Sequence, residues 1–157
     1  MGRLSYRPIA LEDFEPYAEF LAEPECTRYL LVPEPHSRDV SLALLKRSIS
    51  EHDGTIGMST LHDGDELVGW AGFQRRELDG AHEIELGWLI RRAHWGRGYA
   101  SEAALALRPL GPERTVHLIH PDNAASIAVA RKLGAVRERD TEIRGGPVSI
   151  YVSLSRL

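Results

Sequence analysis

Residues Glu83–Ala104 read EIELGWLIRRAHWGRGYASEAA, and the fold turns on this stretch. A strand, His82–Arg91, runs through the glycine-bearing loop Arg92–Gly98 straight into a helix of alanine and leucine, Tyr99–Leu110. Glycine lets the backbone turn tightly and approach a ligand closely. The first amides of a helix lack intrahelical partners, and the helix dipole favours an anion beside them. Gly96, Arg97, Gly98, Tyr99 and Ala100 therefore form a candidate diphosphate cradle, ringed by Arg91, Arg92, His94 and Arg97. The same glycines would also serve a plain strand-to-helix turn. Other phosphate motifs fail: no G-x-x-x-x-G-K-[ST] occurs, and Glu102-Ala103 stands where a dinucleotide fingerprint needs its third glycine. No G-x-S-x-G elbow occurs either.

Upstream, Leu4–Ile9 reads as a strand and Leu11–Glu23 as a helix, with Phe14, Tyr17, Ala18 and Leu21 at helical spacing. Pro33 and Pro35 interrupt the chain. Ser37 caps a second helix, Arg38–Glu51. Thr55–Leu61, Glu66–Arg75 and His82–Arg91, separated by glycine turns, read as an antiparallel meander. Downstream, Gly111-Pro112 stops the helix, and Val116–Ile119 is a short apolar strand. Pro121-Asp122-Asn123 opens a helix that ends at Leu133-Gly134. Ala135–Arg144 and Val148–Leu157 close the chain as a hairpin around Gly145-Gly146-Pro147. The expected architecture is α/β (α+β): one mixed, mostly antiparallel sheet of about seven strands with helices on both faces.

The 157 residues suffice for one domain, expected to span 1–157. Hydrophobic residues are 43% and charged residues 27%, ordinary for a globular protein. No apolar run reaches the length of a membrane span, and no signal core opens the chain. A net charge of -4 argues against nucleic acid as partner. Cys26 is the lone cysteine, so neither an internal disulfide nor a cysteine zinc cluster is expected, and a cytoplasmic location fits. The seven histidines show no metal spacing, so no metal is expected. Of the 19 basic residues only Lys46 and Lys132 are lysine. Arginine suits bidentate phosphate contacts, and GC-rich coding bias produces the same composition.

A second informative stretch is Pro121–Gly134, PDNAASIAVARKLG. Asn123 stands at a helix start and Ser126 one turn on, on the same face. Alone, Asn123 reads as a helix cap and Ser126 as a small packing residue. Trp88-Leu89-Ile90, Trp95 to Ala103, and Asn123 to Ser126 ending in Lys132-Leu133-Gly134 together resemble the GNAT acetyltransferase superfamily. The branch resembled is that of the ribosomal-protein N-terminal acetyltransferases, which Thr27-Arg28-Tyr29-Leu30 also fits. The resemblance implies an acetyl-CoA-dependent N-acetyltransferase. It implies that the strands around Glu85–Ile90 and Val116–Ile119 splay apart, with the pantetheine arm pairing near Leu89 and Ile90. The diphosphate would rest on Gly96–Ala100 beside His94 and Trp95, with Asn123 near the pantetheine and Arg131 near the nucleotide. Two positions depart from the family pattern. Ala93 replaces an Arg or Gln of the loop, with His94 or Arg92 as substitutes, and Ala130 replaces a tyrosine that protonates the leaving thiolate.

Acetyl transfer to an amine needs loss of the amine proton, polarisation of the thioester carbonyl and stabilisation of the leaving thiolate. Glu83 and Glu85 share one face of their strand. Glu85, nearer the expected thioester, is the candidate base. Ser126 is the candidate hydrogen-bond donor to the sulfur. Both glutamates also read as solvent-facing residues paired with nearby arginines. The acceptor is the amine of a peptide N-terminus or of a small molecule. Glu23, Glu25 and Glu34, in the segment expected to wall it, favour a cation. A homodimer is common in the family. The competing readings are a non-catalytic acyl-CoA sensor and a small nucleotide-binding module.

Overall fold

The computed structural model describes residues 2–155. The chain begins with strand β1 (Leu4–Pro8), a short 3-10 turn (Leu11–Asp13) and helix α1 (Phe14–Ala22). Helix α2 (Pro24–Thr27) and helix α3 (Arg38–Glu51) follow, then strands β2 (Gly57–Asp63), β3 (Glu66–Leu78) and β4 (Ala81–Ile90). Helix α4 (Tyr99–Leu107), strand β5 (Arg114–Ile119), helix α5 (Ala124–Lys132) and the hairpin β6 (Val136–Ile143) and β7 (Gly146–Leu154) complete it. The strands form one seven-stranded sheet in the order β1-β2-β3-β4-β5-β7-β6. Every neighbouring pair is antiparallel except β4–β5.

Local chemistry accounts for most boundaries. Ser37 Oγ accepts from the Val40 amide at 3.2 Å and starts α3. Pro16 falls in the first turn of α1, where a missing N–H is harmless. Asp79 and Gly80 both take positive φ (50° and 83°), the two-residue turn whose twist matches a hairpin. Arg144 and Gly145 do the same (52° and 78°). That turn lies one residue earlier than the glycine-proline run predicts, and Gly146-Pro147 open β7 instead. The expected helix Leu11–Glu23 begins as a 3-10 turn because the Asp13 carboxylate accepts the Ala10 amide at 2.7 Å. The expected helix Tyr99–Leu110 likewise ends as a 3-10 turn at Arg108–Leu110, where Pro109 lacks the donor an α-helix needs. The short α2 has no counterpart in the sequence reading. The last two positions expected in the closing strand, 156 and 157, lie outside the described residues.

Both faces of the sheet are covered. On one, Tyr17, Phe20 and Leu21 of α1 and Leu45 of α3 pack on Met58 and Trp70. The rings of Tyr17 and Phe20 meet Trp70 edge-on at 5.4 and 5.7 Å. On the other, Tyr99, Ala103 and Leu107 of α4 pack on Leu61, Ala71, Phe73 and Leu86. Ala130 of α5 packs with Ile119, Ala135 and Tyr151 beside them. Glu85, Gly87 and Leu89 therefore face the α1–α3 side, and Leu86, Trp88 and Ile90 the α4–α5 side.

Candidate active site

The parallel pair β4–β5 touches at one position, Glu85 opposite Val116. Beyond it β5 turns to β7, pairing over its whole length, while β4 continues to Ile90 against β3. A wedge opens through the sheet. A cavity of about 970 Å³ runs into it, lined on one side by Trp88, His117, Asn123 and Ser126 and on the other by Glu85, Gly87 and Leu89. Its outer walls come from Tyr29–Glu34 and His36, between α2 and α3. Gly87 is the open spot of the floor. A Cβ there would meet only the Glu85 carboxyl, Cδ at 3.9 Å and Oε2 at 4.0 Å.

Glu85 is buried at 7% exposure, so its charge needs partners. Arg76 Nε donates to Oε1 at 2.8 Å, and Arg76 Nη2 donates to Gln74 Oε1 at 2.8 Å. The Leu118 amide donates to Oε2 across the opening wedge at a long 3.4 Å. Oε1 is thus the anchored oxygen, and Oε2 looks over Gly87. Glu83 goes elsewhere: Arg114 holds it at 3.0 Å and also meets Glu138. The structure separates the two candidates that strand alternation left together, and only Glu85 lines the cavity.

Ser126 sits in the first turn of α5. Its Oγ accepts from Trp88 Nε1 at 3.2 Å and from Asn123 Nδ2 at 3.1 Å, while Asn123 Oδ1 caps the helix by accepting the Ser126 amide at 3.2 Å. Two N–H groups occupy both lone pairs of the hydroxyl, so its own proton is left to donate. Ala130, where the resemblance expects a tyrosine, is fully buried and brings no acid.

The loop after β4 is braced from behind. Arg3 Nη2 donates to the Arg97 carbonyl at 2.9 Å, and Arg3 Nε pairs with Glu102 at 3.0 Å. Tyr99 Oη donates to Asp63 at 2.6 Å. Gly96 and Gly98 take left-handed φ (76° and 82°), and a Cβ at Gly96 would meet nothing within 4 Å. Gly98 caps α4 without a side chain, so the first amides of α4 have no side-chain acceptor. The Trp95 indole donates to the Ile90 carbonyl at 2.7 Å and lies half exposed beside the loop.

Some expected residues lie apart. His94 is buried, with Nε2 at 3.2 Å from Glu66. Arg92 faces Glu23 and Glu25, each 3.6 Å away. Neither of those two glutamates lines the cavity, whereas Glu34 does. Arg131 is exposed on α5. Cys26 is buried, and burial pushes its thiol up to about 11, far from a nucleophile at neutral pH. Sequence reading missed Gln74 and Arg76 on the cavity floor, beside Trp70. Only the registers Gln74 opposite Glu85 and Trp70 opposite Leu89 put them there. Among the described residues no group of three His, Cys, Asp or Glu side chains could hold a metal, and no helix is long and apolar enough to cross a membrane.

A seven-stranded sheet, split between its middle strands and flanked by a glycine loop at a helix start, defines an acyltransferase architecture. Residues 3–136 match the family model described as an acetyltransferase (GNAT) domain, and the chain belongs to that family of N-acetyltransferases. It is 26% identical over 163 residues to the uncharacterized N-acetyltransferase p20 of Bacillus licheniformis, covering 96% of this chain and 90% of that one. The crystal structure of an acetyltransferase from Agrobacterium tumefaciens is similar at 30% identity and a TM-score of 0.80, over 97% of this chain and 91% of that one. YncA of Salmonella typhimurium, solved with its cofactor acetyl-CoA, shares the fold at 19% identity and a TM-score of 0.73, over 98% and 94% of the chains.

Proposed function

We propose that residues 1–157 act as one cytoplasmic domain that moves the acetyl group of acetyl-CoA directly to an amine, within the branch of the ribosomal-protein N-terminal acetyltransferases. The observation that carries this is the wedge itself: one paired position between β4 and β5, free space over Gly87, a carboxylate on one side and an unspent hydroxyl proton on the other. The residues fit the cofactor. A split sheet leaves strand amides near Leu89 and Ile90 for a peptide-like arm. The amides of Gly96, Arg97, Gly98, Tyr99 and Ala100 suit a diphosphate. Trp95 and Asn123 flank the arm, Arg131 lies toward the nucleotide, and His94 supports the loop from inside.

Acetyl-CoA supplies an activated acyl carbon for attack. The chain's own residues do the rest. Glu85 takes the amine proton on Oε2, the oxygen Arg76 leaves free. The void over Gly87 seats the amine against the acyl carbon, and such positioning supplies much of the rate. A backbone amide near Leu89, that of Ile90 on the open side of β4, polarises the carbonyl oxygen. Ser126 points its hydroxyl proton at the departing sulfur and takes the place the buried Ala130 leaves vacant in the mechanism.

The acceptor is the amine of a peptide N-terminus or of a small molecule, entering between α2 and α3. A panel of peptide N-termini, amino acids, polyamines and aminoglycosides tests the reading, with free thiol release as the signal. Release well above the acceptor-free rate with at least one amine is expected. Tight acetyl-CoA binding with no release on any amine would favour the sensor reading instead.

A further inference from the structure

The proposed transfer leaves one buried polar chain unused. Arg108, His117 and Ser153 are 6%, 1% and 1% exposed. Arg108 Nε donates to Ser153 Oγ at 2.7 Å, and its other nitrogens donate to the carbonyls of Pro112, Glu113 and Ser153 at 2.7–2.9 Å. Arginine only donates, so the Ser153 proton goes to the other neighbour, His117 Nε2 at 2.8 Å. Nε2 therefore accepts, and Nδ1 carries the ring proton, which it donates to the Leu86 carbonyl at 3.0 Å. One tautomer of a neutral imidazole satisfies both ends.

The place matters. Leu86 is the residue of β4 just past the last pairing with β5. His117 supplies from its side chain a bond that the splayed ladder no longer makes, as Glu85 does for the Leu118 amide on the opposite face. The imidazole also packs against the Trp88 ring, centroids 5.5 Å apart, and Trp88 Nε1 donates to Ser126 Oγ. A continuous set of contacts thus leads from Arg108 to the hydroxyl at the wedge.

We propose that His117 is the positioning residue of this site. Held as the Nδ1–H tautomer by Ser153 and Arg108, it fixes the edge of the wedge at Leu86 and braces Trp88 so that the Ser126 hydroxyl aims into the opening. It acts through Leu86 and Trp88. The inference rests on the role of Ser126 proposed above.

The test is a double-mutant cycle on an acceptor found by the amine panel. His117→Leu removes both ring nitrogens, and His117→Asn keeps a donor near the place of Nδ1. His117→Leu is expected to lower kcat by about tenfold, a loss of the size one hydrogen bond to a charged group supplies. His117→Asn should recover most of it. In a Ser126→Ala background His117→Leu should cost little more, because residues acting through one another are not additive. A merely structural histidine would give additive losses, which would overturn the inference while leaving the proposed transfer intact. A costly His117→Leu with a fully active Ser126→Ala would also overturn it, and wild-type turnover would still report on the transfer itself. Should the leucine variant not fold, the imidazole nitrogen spectrum of the wild-type protein decides. Neutral Nδ1–H His117 at pH 6 is expected, and the Nε2–H tautomer or a cationic ring there would contradict the proposal.

Discussion

His117 is neutral in the fold, and burial pushes its pKa down to about 4. The unfolded chain binds a proton near the ordinary value of 6.5, so it takes up protons first as the pH falls. The stability that neutral His117 contributes is complete above about pH 6.5 and is lost progressively toward pH 4, with about 2 kcal/mol gone by pH 5. Urea unfolding of the wild-type protein at pH 7 and pH 5 should show that loss, and His117→Asn should flatten it. Equal pH dependence in the two proteins would mean that another group titrates. Glu85 answers in the rate. Glu85→Gln should slow turnover near pH 7 by ~10²–10⁴-fold, the range for a general base, and the deficit should shrink as rising pH deprotonates the amine in solution. Ser126→Ala should cost about tenfold to a hundredfold with little pH dependence. Rate profiles of both variants distinguish the roles, and a wild-type rate for Glu85→Gln at pH 7 would reduce Glu85 to the ion pair with Arg76.

Among the elements, the loop into α4 carries the sharpest expectation. Gly98 holds φ at 82°, where a side chain costs roughly 1–2 kcal/mol. Gly98→Val adds that strain within the proposed diphosphate cradle, with Arg3 Nη2 3.8 Å from the added Cβ. Gly54 provides the control, because its φ of 94° makes Gly54→Val similarly strained in the turn before β2, away from the cavity and with open space around it. Acetyl-CoA affinity, measured by calorimetry, should fall tenfold or more for Gly98→Val and stay unchanged for Gly54→Val. Equal affinities in the two folded variants would leave Gly96–Ala100 as a plain turn. This loop was legible in the sequence because its chemistry is local: a strand, two glycines and a helix in consecutive residues. The Asn123–Ser126 cap was legible for the same reason. The bond from Trp88 to Ser126 was not, since Trp88 lies 38 residues away along the chain. The sequence marked His117, with His120, only as a candidate neighbour and relay of the site, and Arg108 as the end of a helix. Their roles come from contacts with Leu86 and Ser153, 31 and 45 residues distant, which no periodicity encodes.

At the scale of the whole molecule, the order of strands and helices was readable because hydrophobic period and glycine turns mark each element. The wedge was not readable from the residues alone. It follows from β5 giving six paired positions to β7 and one to β4, a choice made by the sheet as a unit. The resemblance to a known family supplied it as an expectation, and the pairing bears it out. A ligand that bridges β4, β5 and the α4 loop would bind only the folded chain, so the proposed site would couple acetyl-CoA to stability. The account depends most on the wedge being the acetyl-CoA site, and thermal unfolding with and without nucleotides tests this directly. Acetyl-CoA at a hundredfold its dissociation constant should stabilise the fold by about 2.7 kcal/mol. For a chain of this size the melting temperature should then rise by roughly 5–10 °C, with much smaller shifts from ATP and NAD at equal concentration. No shift with acetyl-CoA, or an equal one with ATP, would contradict the account.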